Sequence, residues 1–222
     1  MIERLPLPML IPMGDAALLV RFDDRLSEAA NGAAVAFARR LSQDMPQGVA
    51  EIDPNLVSVL LRYDPAATSF EKLAGEIRLM ISASVTTKLP LPATHRIAVR
   101  FGGEDGPDLQ RVSEALHLDS AAFIAAHNAA PLRVLTTGFA PGFVYCGFHD
   151  ETLRLPRRVD IRARIPAGSI LFAAGQTAIA ATSIPTGWHV IGRTSFRNFD
   201  PAATPPTRLR EGDKVIFTAG AA

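Results

Sequence analysis

The chain has 222 residues, 48% hydrophobic and 20% charged, with 23 basic against 22 acidic side chains. That is enough apolar material for one large or two small domains. A net charge of +1 argues against a dedicated nucleic-acid binder, whose phosphate contacts need a clustered basic excess. The single cysteine, Cys146, excludes an intrachain disulfide and a cysteine-based zinc site and makes a cytoplasmic setting the default. Residues 1–12 are apolar but broken by Pro6, Pro8 and Pro12, unlike a signal peptide. No segment approaches the ~20 apolar residues of a membrane-spanning helix.

The first part reads as alternating strand and helix. Residues 16–22 (AALLVRF) form a short apolar strand. Ser27 caps a helix running to about Leu41, with Ala30, Ala34, Phe37 and Leu41 on one face. Residues 56–63 (LVSVLLRY) form a second strand, closed by Asp64-Pro65. Thr68, with Glu71 three residues later, has the spacing of a capping box before a stripe of Phe70, Leu73, Ile77 and Ile81. The result is a βαβα unit able to bury one sheet face. Residues 82–94 (SASVTTKLPLPAT) lose periodicity and read as a linker, with domains expected at 1–88 and 89–222.

The second domain opens with a strand at 95–101, a Gly/Pro turn at 102–107 and two short helices, 108–116 and 120–128, the latter capped by Asp119. Short apolar runs then alternate with turns: 132–135, 170–174, 178–182, 189–191 and 214–218. That spacing predicts a β-barrel or sandwich.

The segment 136–145 (TTGFAPGFVY) is the most informative. Two glycines and a proline set one tight backbone path, and Phe139, Phe143 and Tyr145 project from it. This suits a pocket wall. Gln176 and Thr177 are polar groups in an apolar run that must find partners or a ligand. Gln176 tying two strands together is an equal reading. Trp188, the only tryptophan, is core or a stacking wall for a planar ligand. Arg193 follows a glycine and suits a carboxylate. Five arginines between 154 and 164 suit an anion or simply a solvated face. Of the five histidines, which show no paired metal-ligand spacing, His127 is best placed, at a helix C-terminus that it complements when charged. No P-loop, GxGxxG, HExxH or GxSxG motif is present. These residue types describe a pocket in a β-rich domain, with no nucleophile and no metal site evident.

Seven motifs in order carry a resemblance: GFAPGFVYCGF (138–148), LPRR (155–158), RIPAGSI (164–170), AAGQTAI (173–179), PTGWHVIGRT (185–194), FDP (199–201) and EGDKVIF (211–217). With GDAALLV (14–20) and YDP (63–65) in the first domain, they resemble the 5-oxoprolinase B-subunit family, also called KipI or allophanate hydrolase subunit 1, over nearly the whole chain. The resemblance implies an α+β protein: a small N-terminal α/β domain of ferredoxin-like type, then a cyclophilin-like β-barrel. It implies a non-autonomous component of an ATP-dependent 5-oxoprolinase, which opens 5-oxoproline to glutamate. The implied partners are a barrel-bearing C subunit and an amidohydrolase-like A subunit, with ATP bound by or shared with a partner. Allophanate or urea-derivative hydrolysis and KipI-type inhibition of a sensor histidine kinase are the alternatives. The expected pocket has Phe139, Pro141, Gly142, Phe143 and Trp188 as wall. Gln176 and Thr177 would bond the amide, and Arg157 or Arg193 would hold a carboxylate or phosphate. Two positions depart from the family pattern: Ala174 and Thr186 stand where glycine is usual.

Overall fold

The computed structural model describes residues 5–83 and 91–220 and divides into two compact units, Met1–Leu91 and Pro92–Ala222. The expected boundary at 88/89 lies outside the described residues.

In the first unit the chain runs β1 (Met9–Pro12), β2 (Ala17–Arg21), α1 (Glu28–Gln43), β3 (Val49–Pro54), β4 (Ser58–Tyr63) and α2 (Phe70–Ser82). The sheet order is β1-β2-β4-β3, antiparallel throughout. Two strands, β1 and β3, thus flank the two expected from the sequence. Both are short and largely uncovered, so their sequences lack strong alternation. Ser27 caps α1 as expected, its hydroxyl accepting from Ala30 N at 3.1 Å. The cap of α2 is Ser69 rather than Thr68: Ser69 Oγ accepts from Lys72 N, and Thr68 is buried instead. Leu18, Val20, Val59 and Leu61 on the sheet pack with Phe37, Leu41, Leu73 and Ile77 of the helices in one core.

The second unit begins with β5 (Thr94–Phe101), α3 (Leu109–Ala115), α4 (Ser120–His127), β6 (Leu132–Thr137), β7 (Val144–Gly147) and β8 (Arg162–Ile165). It continues with β9 (Ser169–Ala173), β10 (Gln176–Ile179), β11 (Ile184–Thr186), β12 (His189–Arg193) and β13 (Lys214–Ala219). Seven strands close a barrel in the order β10-β7-β6-β13-β5-β12-β9, and β8 and β11 pair separately. Among the described residues, only the β5–β13 ladder is parallel. The α+β class with a closed barrel is therefore observed.

Side chains alternate across the barrel wall. Ile170, Phe172, Ile179, Val144 and Cys146 enter an interior core with Phe123 and Phe217. Leu171, Ala173, Ala178 and Val190 face outward into a second apolar cluster with Phe143, Ile184 and Trp188. Burial on both faces explains why β9 reads as a continuous apolar run instead of alternating. This outer cluster positions the candidate site.

Candidate functional site

The loop 138–143 folds back on itself between β6 and β7. Gly138 N donates to Phe143 O and Phe143 N donates to Ala140 O, both at 3.0 Å. Gly142 sits at φ +68°, and a Cβ there would lie 2.5 Å from Phe199 Cβ and 2.9 Å from Ala181 Cβ. Only glycine permits that approach. Asn198 Nδ2 donates to Gly142 O at 2.9 Å and ties the loop down. Phe139 holds φ +74° and is 71% exposed. A bulky residue in the left-handed region costs about 1–3 kcal/mol, and such residues cluster at functional sites.

Four rings form a ladder from this loop to β12. Centroid separations are 5.5 Å for Phe139–Phe143, 4.8 Å for Phe143–Tyr145 and 5.8 Å for Tyr145–Trp188. These spacings and tilts are favourable aromatic geometry. The guanidinium carbon of Arg157 lies 5.6 Å from the Trp188 ring centroid, a cation–π distance. Phe139, Tyr145, Arg157, Ile161, Thr186 and Trp188 are among the residues that line a cavity of about 310 Å³. Burial raises the Tyr145 phenol above its ordinary pKa, against the opposing charge of Arg157, so it is a neutral hydroxyl at pH 7. Aromatic walls, the Tyr145 and Thr186 hydroxyls and one cation suit a small planar anion.

Arg157 and Ile161 belong to the segment 156–162, which is pinned from behind. Arg158 Nη1 and Arg162 Nη2 meet Asp108 Oδ1 at 2.6 and 2.7 Å, while Asp108 Oδ2 accepts from Val190 N at 2.8 Å. Burial raises the Asp108 carboxyl. Hydrogen bonds from Arg162 and Val190 N and the two guanidinium charges outweigh this and hold it below its ordinary value. The arginine run is therefore divided. Arg158 and Arg162 are structural, Arg164 bonds Ser183 Oγ, and Arg157 faces the cavity.

Of the residues singled out in the sequence, Phe139, Phe143, Arg157 and Trp188 converge on the cavity. Pro141 is exposed in the same loop, and Gly142 supports it from below. Trp188 is both core and wall, being 6% exposed. Thr186 needs no positive φ; its hydroxyl accepts from Trp188 N and narrows the rim. Ala174 does adopt φ +53°.

Gln176 and Thr177 face opposite sides of β10. Gln176 is half-buried, and its side chain has no hydrogen bond to another described residue. Alternation places it on the outer face with Ala178, opposite Ala173, but it does not line the cavity. Thr177 is fully buried in the barrel, with His127 Nε2 at 2.8 Å and His149 Nε2 at 2.7 Å from its hydroxyl. His127 Nδ1 meets Asn128 Oδ1 at 2.8 Å. Burial lowers His127 to about 4, and burial with the neighbouring His127 lowers His149 to about 3. His127 is thus a neutral core residue, not a charged helix cap. Arg193 lies at the far end of β12, bonded to Ala167 O at 3.2 Å and near Asp105. Cys146 is buried and its thiol is pushed up to about 12, an inert side chain.

Ile161 and Ile184 line the cavity without any sequence signal, because they arrive on the separate two-stranded β8–β11 sheet and its approach, whose strands are non-consecutive in the chain. Tyr145 is legible in the sequence: two positions from Phe143, it shares that residue's side of the chain. Among the described residues, no cluster of His, Cys, Asp or Glu suits a metal ion. None of the helices among them is long and apolar enough to cross a membrane.

Comparison with known proteins places this geometry. A family model described as "Carboxyltransferase domain, subdomain C and D" matches residues 8–209. The chain is 33% identical over 215 residues to the 5-oxoprolinase B subunit of Bacillus subtilis, covering 92% of this chain and 90% of that protein. The solved structure of TTHA0988 superposes with a TM-score of 0.80 at 32% identity, over 93% of this chain. This chain spans 40% of the TTHA0988 chain. The urea amidolyase of K. lactis shares the fold, with a TM-score of 0.77 at 14% identity over 96% of this chain and 15% of its own.

Proposed function

Since the chain belongs to the family of the carboxyltransferase domain, subdomain C and D, we propose that it is the B subunit of an ATP-dependent 5-oxoprolinase, binding the lactam at the Trp188 cavity. The observation that carries the reading is the convergence of Phe143, Tyr145 and Trp188 with Arg157 on one small concavity. A five-membered lactam with a carboxylate matches it. The flat ring lies against Trp188, the carboxylate pairs with Arg157, and the Tyr145 hydroxyl serves the lactam group. The B. subtilis relative is itself named as the B subunit of 5-oxoprolinase, which supports the same assignment.

The cavity lining carries a single cation, Arg157, which does not fit a triphosphate. We therefore place ATP on a partner. A barrel-bearing C subunit and an amidohydrolase-like A subunit complete the enzyme in this reading, in the cytoplasm. The role of this chain is to bind and orient the lactam and exclude water from one side of it.

The test is co-expression with the two partner proteins, the C-type barrel chain and the A-type amidohydrolase-like chain. ATP hydrolysis is then measured with 5-oxoproline, allophanate or urea present. Turnover stimulated by 5-oxoproline alone supports the proposal. Stimulation by allophanate or urea alone replaces the substrate, and 5-oxoproline turnover by this chain alone overturns its dependence on partners.

A further inference from the structure

Along 157–162 the side chains alternate. Arg157 and Ile161 line the cavity, whereas Arg158 and Arg162 turn to Asp108. Asp108 comes from a distant stretch just before α3 and does not itself line the cavity. It is 3% exposed, and both guanidinium groups share its Oδ1. Two further anchors hold the same strap. Arg158 N donates to Gly187 O at 2.7 Å, and His189 Nε2 lies 3.0 Å from Pro156 O. Arg157 is thus fixed between two tethered neighbours, one residue from a buried ion cluster.

We propose that Asp108 is a positioning residue for the Trp188 cavity, setting through Arg158 and Arg162 where the strap places Arg157 and Ile161. The clamp is a balance of charges. With the carboxylate present, two cations share one buried anion, Arg158 being mostly buried and Arg162 still 34% exposed. Without its charge, the two guanidinium groups lose the anion between them and repel at close range, with water reaching only the Arg162 side. The strap must then shift. Nη2 is the atom by which Arg162 reaches the carboxylate, and its buried Nε has no hydrogen-bond partner among the described residues, so beyond its backbone pairing with Thr186 this side chain is held by Asp108. The backbone tether to Gly187 survives loss of the charge, so the shift stays local. The consequence falls on Arg157, which would leave the Trp188 face and withdraw the cavity's cation. This inference takes the cavity as the ligand site from the proposed function, but its test needs no ligand, so the two fail separately.

Trp188 is the only tryptophan and reports directly on the cavity. Acrylamide quenching of its fluorescence should be measured on the full chain for the wild type, Asp108→Asn, Arg157→Ala and the double variant, with circular dichroism to establish folding. The quenching constant should rise about twofold in each single variant, and the double variant should match Arg157→Ala alone, since both changes act through one contact. Unchanged quenching in folded Asp108→Asn overturns the inference. So do additive effects in the double variant, or a lowered melting temperature with the Arg157-dependent quenching intact. Should Asp108→Asn not fold, Arg162→Met keeps the Arg158–Asp108 pair and releases one arm of the clamp. It should raise quenching in the same direction, and its failure to do so when folded also overturns the inference.

Discussion

Arg157 lies over Trp188, with 5.6 Å between the guanidinium carbon and the ring centroid, although the two residues come from a strap and a strand edge thirty-one positions apart. The contact joins the cavity's cation to its largest apolar wall. A ligand that stacks on the ring and pairs with the cation uses both at once.

Replacing Arg157 with alanine should therefore weaken 5-oxoproline binding about tenfold or more, since a charge-assisted hydrogen bond contributes about 1.5–3 kcal/mol. Lysine should rescue only part of the loss, because it cannot reproduce the planar fork or its stacking. Titration of Trp188 fluorescence with 5-oxoproline in the assembled complex measures both.

Ala174 adopts φ +53° on an exposed turn between β9 and β10. Ala174→Gly should stabilise the chain by about 1 kcal/mol through relief of the left-handed backbone cost. The Ala174 N–H bond to Leu155 O at 2.6 Å uses only backbone and survives. Urea unfolding should show a higher midpoint at unchanged slope.

The opposite change at Gly142 should be severe. Gly142→Ala brings a methyl to 2.5 Å from Phe199 Cβ at a φ of +68°. The combined overpacking and backbone strain should cost about 2–3 kcal/mol or more. Denaturant melts would measure that cost, and a fall in Phe139–Phe143 ring contacts by NMR would show that the loop moved.

The interior pair His127 and His149 makes stability depend on pH. Both folded values, about 4 and about 3, lie below the ordinary 6.5, so the unfolded chain binds more protons in this window. Their contribution is complete above about pH 6.5 and is lost as pH falls toward the folded values, on the order of 3 kcal/mol for His127. Denaturant melts from pH 7.5 to 4.5 should show this decline, and His127→Gln should flatten it. Thr177→Val should cost about 2 kcal/mol at pH 7, because it leaves the ring nitrogens of buried His127 and half-buried His149 without their shared hydroxyl, and Thr177→Ser should restore most of that.

Much of the fold is legible where local physics acts alone. Ser27 and Asp119 cap their helices as expected, because capping depends on a side chain and a backbone N–H three residues on. At α2 the same rule points one residue early, since Thr68 and Ser69 both carry the required hydroxyl. The expectation joins Gln176 and Thr177 on one ligand, yet adjacent strand residues face opposite sides. Once β10 begins at Gln176, Thr177 must enter the barrel core.

The sequence by itself determined the backbone of the site: Gly138, Pro141 and Gly142 impose a preset loop, and the rings follow it on alternating positions. It also determined that Trp188 and Arg157 were candidates, because a lone tryptophan beside a Gly turn and an arginine in a basic run are rare groups with specific demands. Only the tertiary structure decided which candidates meet. Arg157 reaches Trp188 because Arg158 and Arg162 are drawn to Asp108 about fifty residues away. Arg193 is kept apart because β12 carries it to the opposite end of the barrel, beside Asp105. Those outcomes rest on strand register and long-range charge pairing, which residue spacing along the chain does not encode.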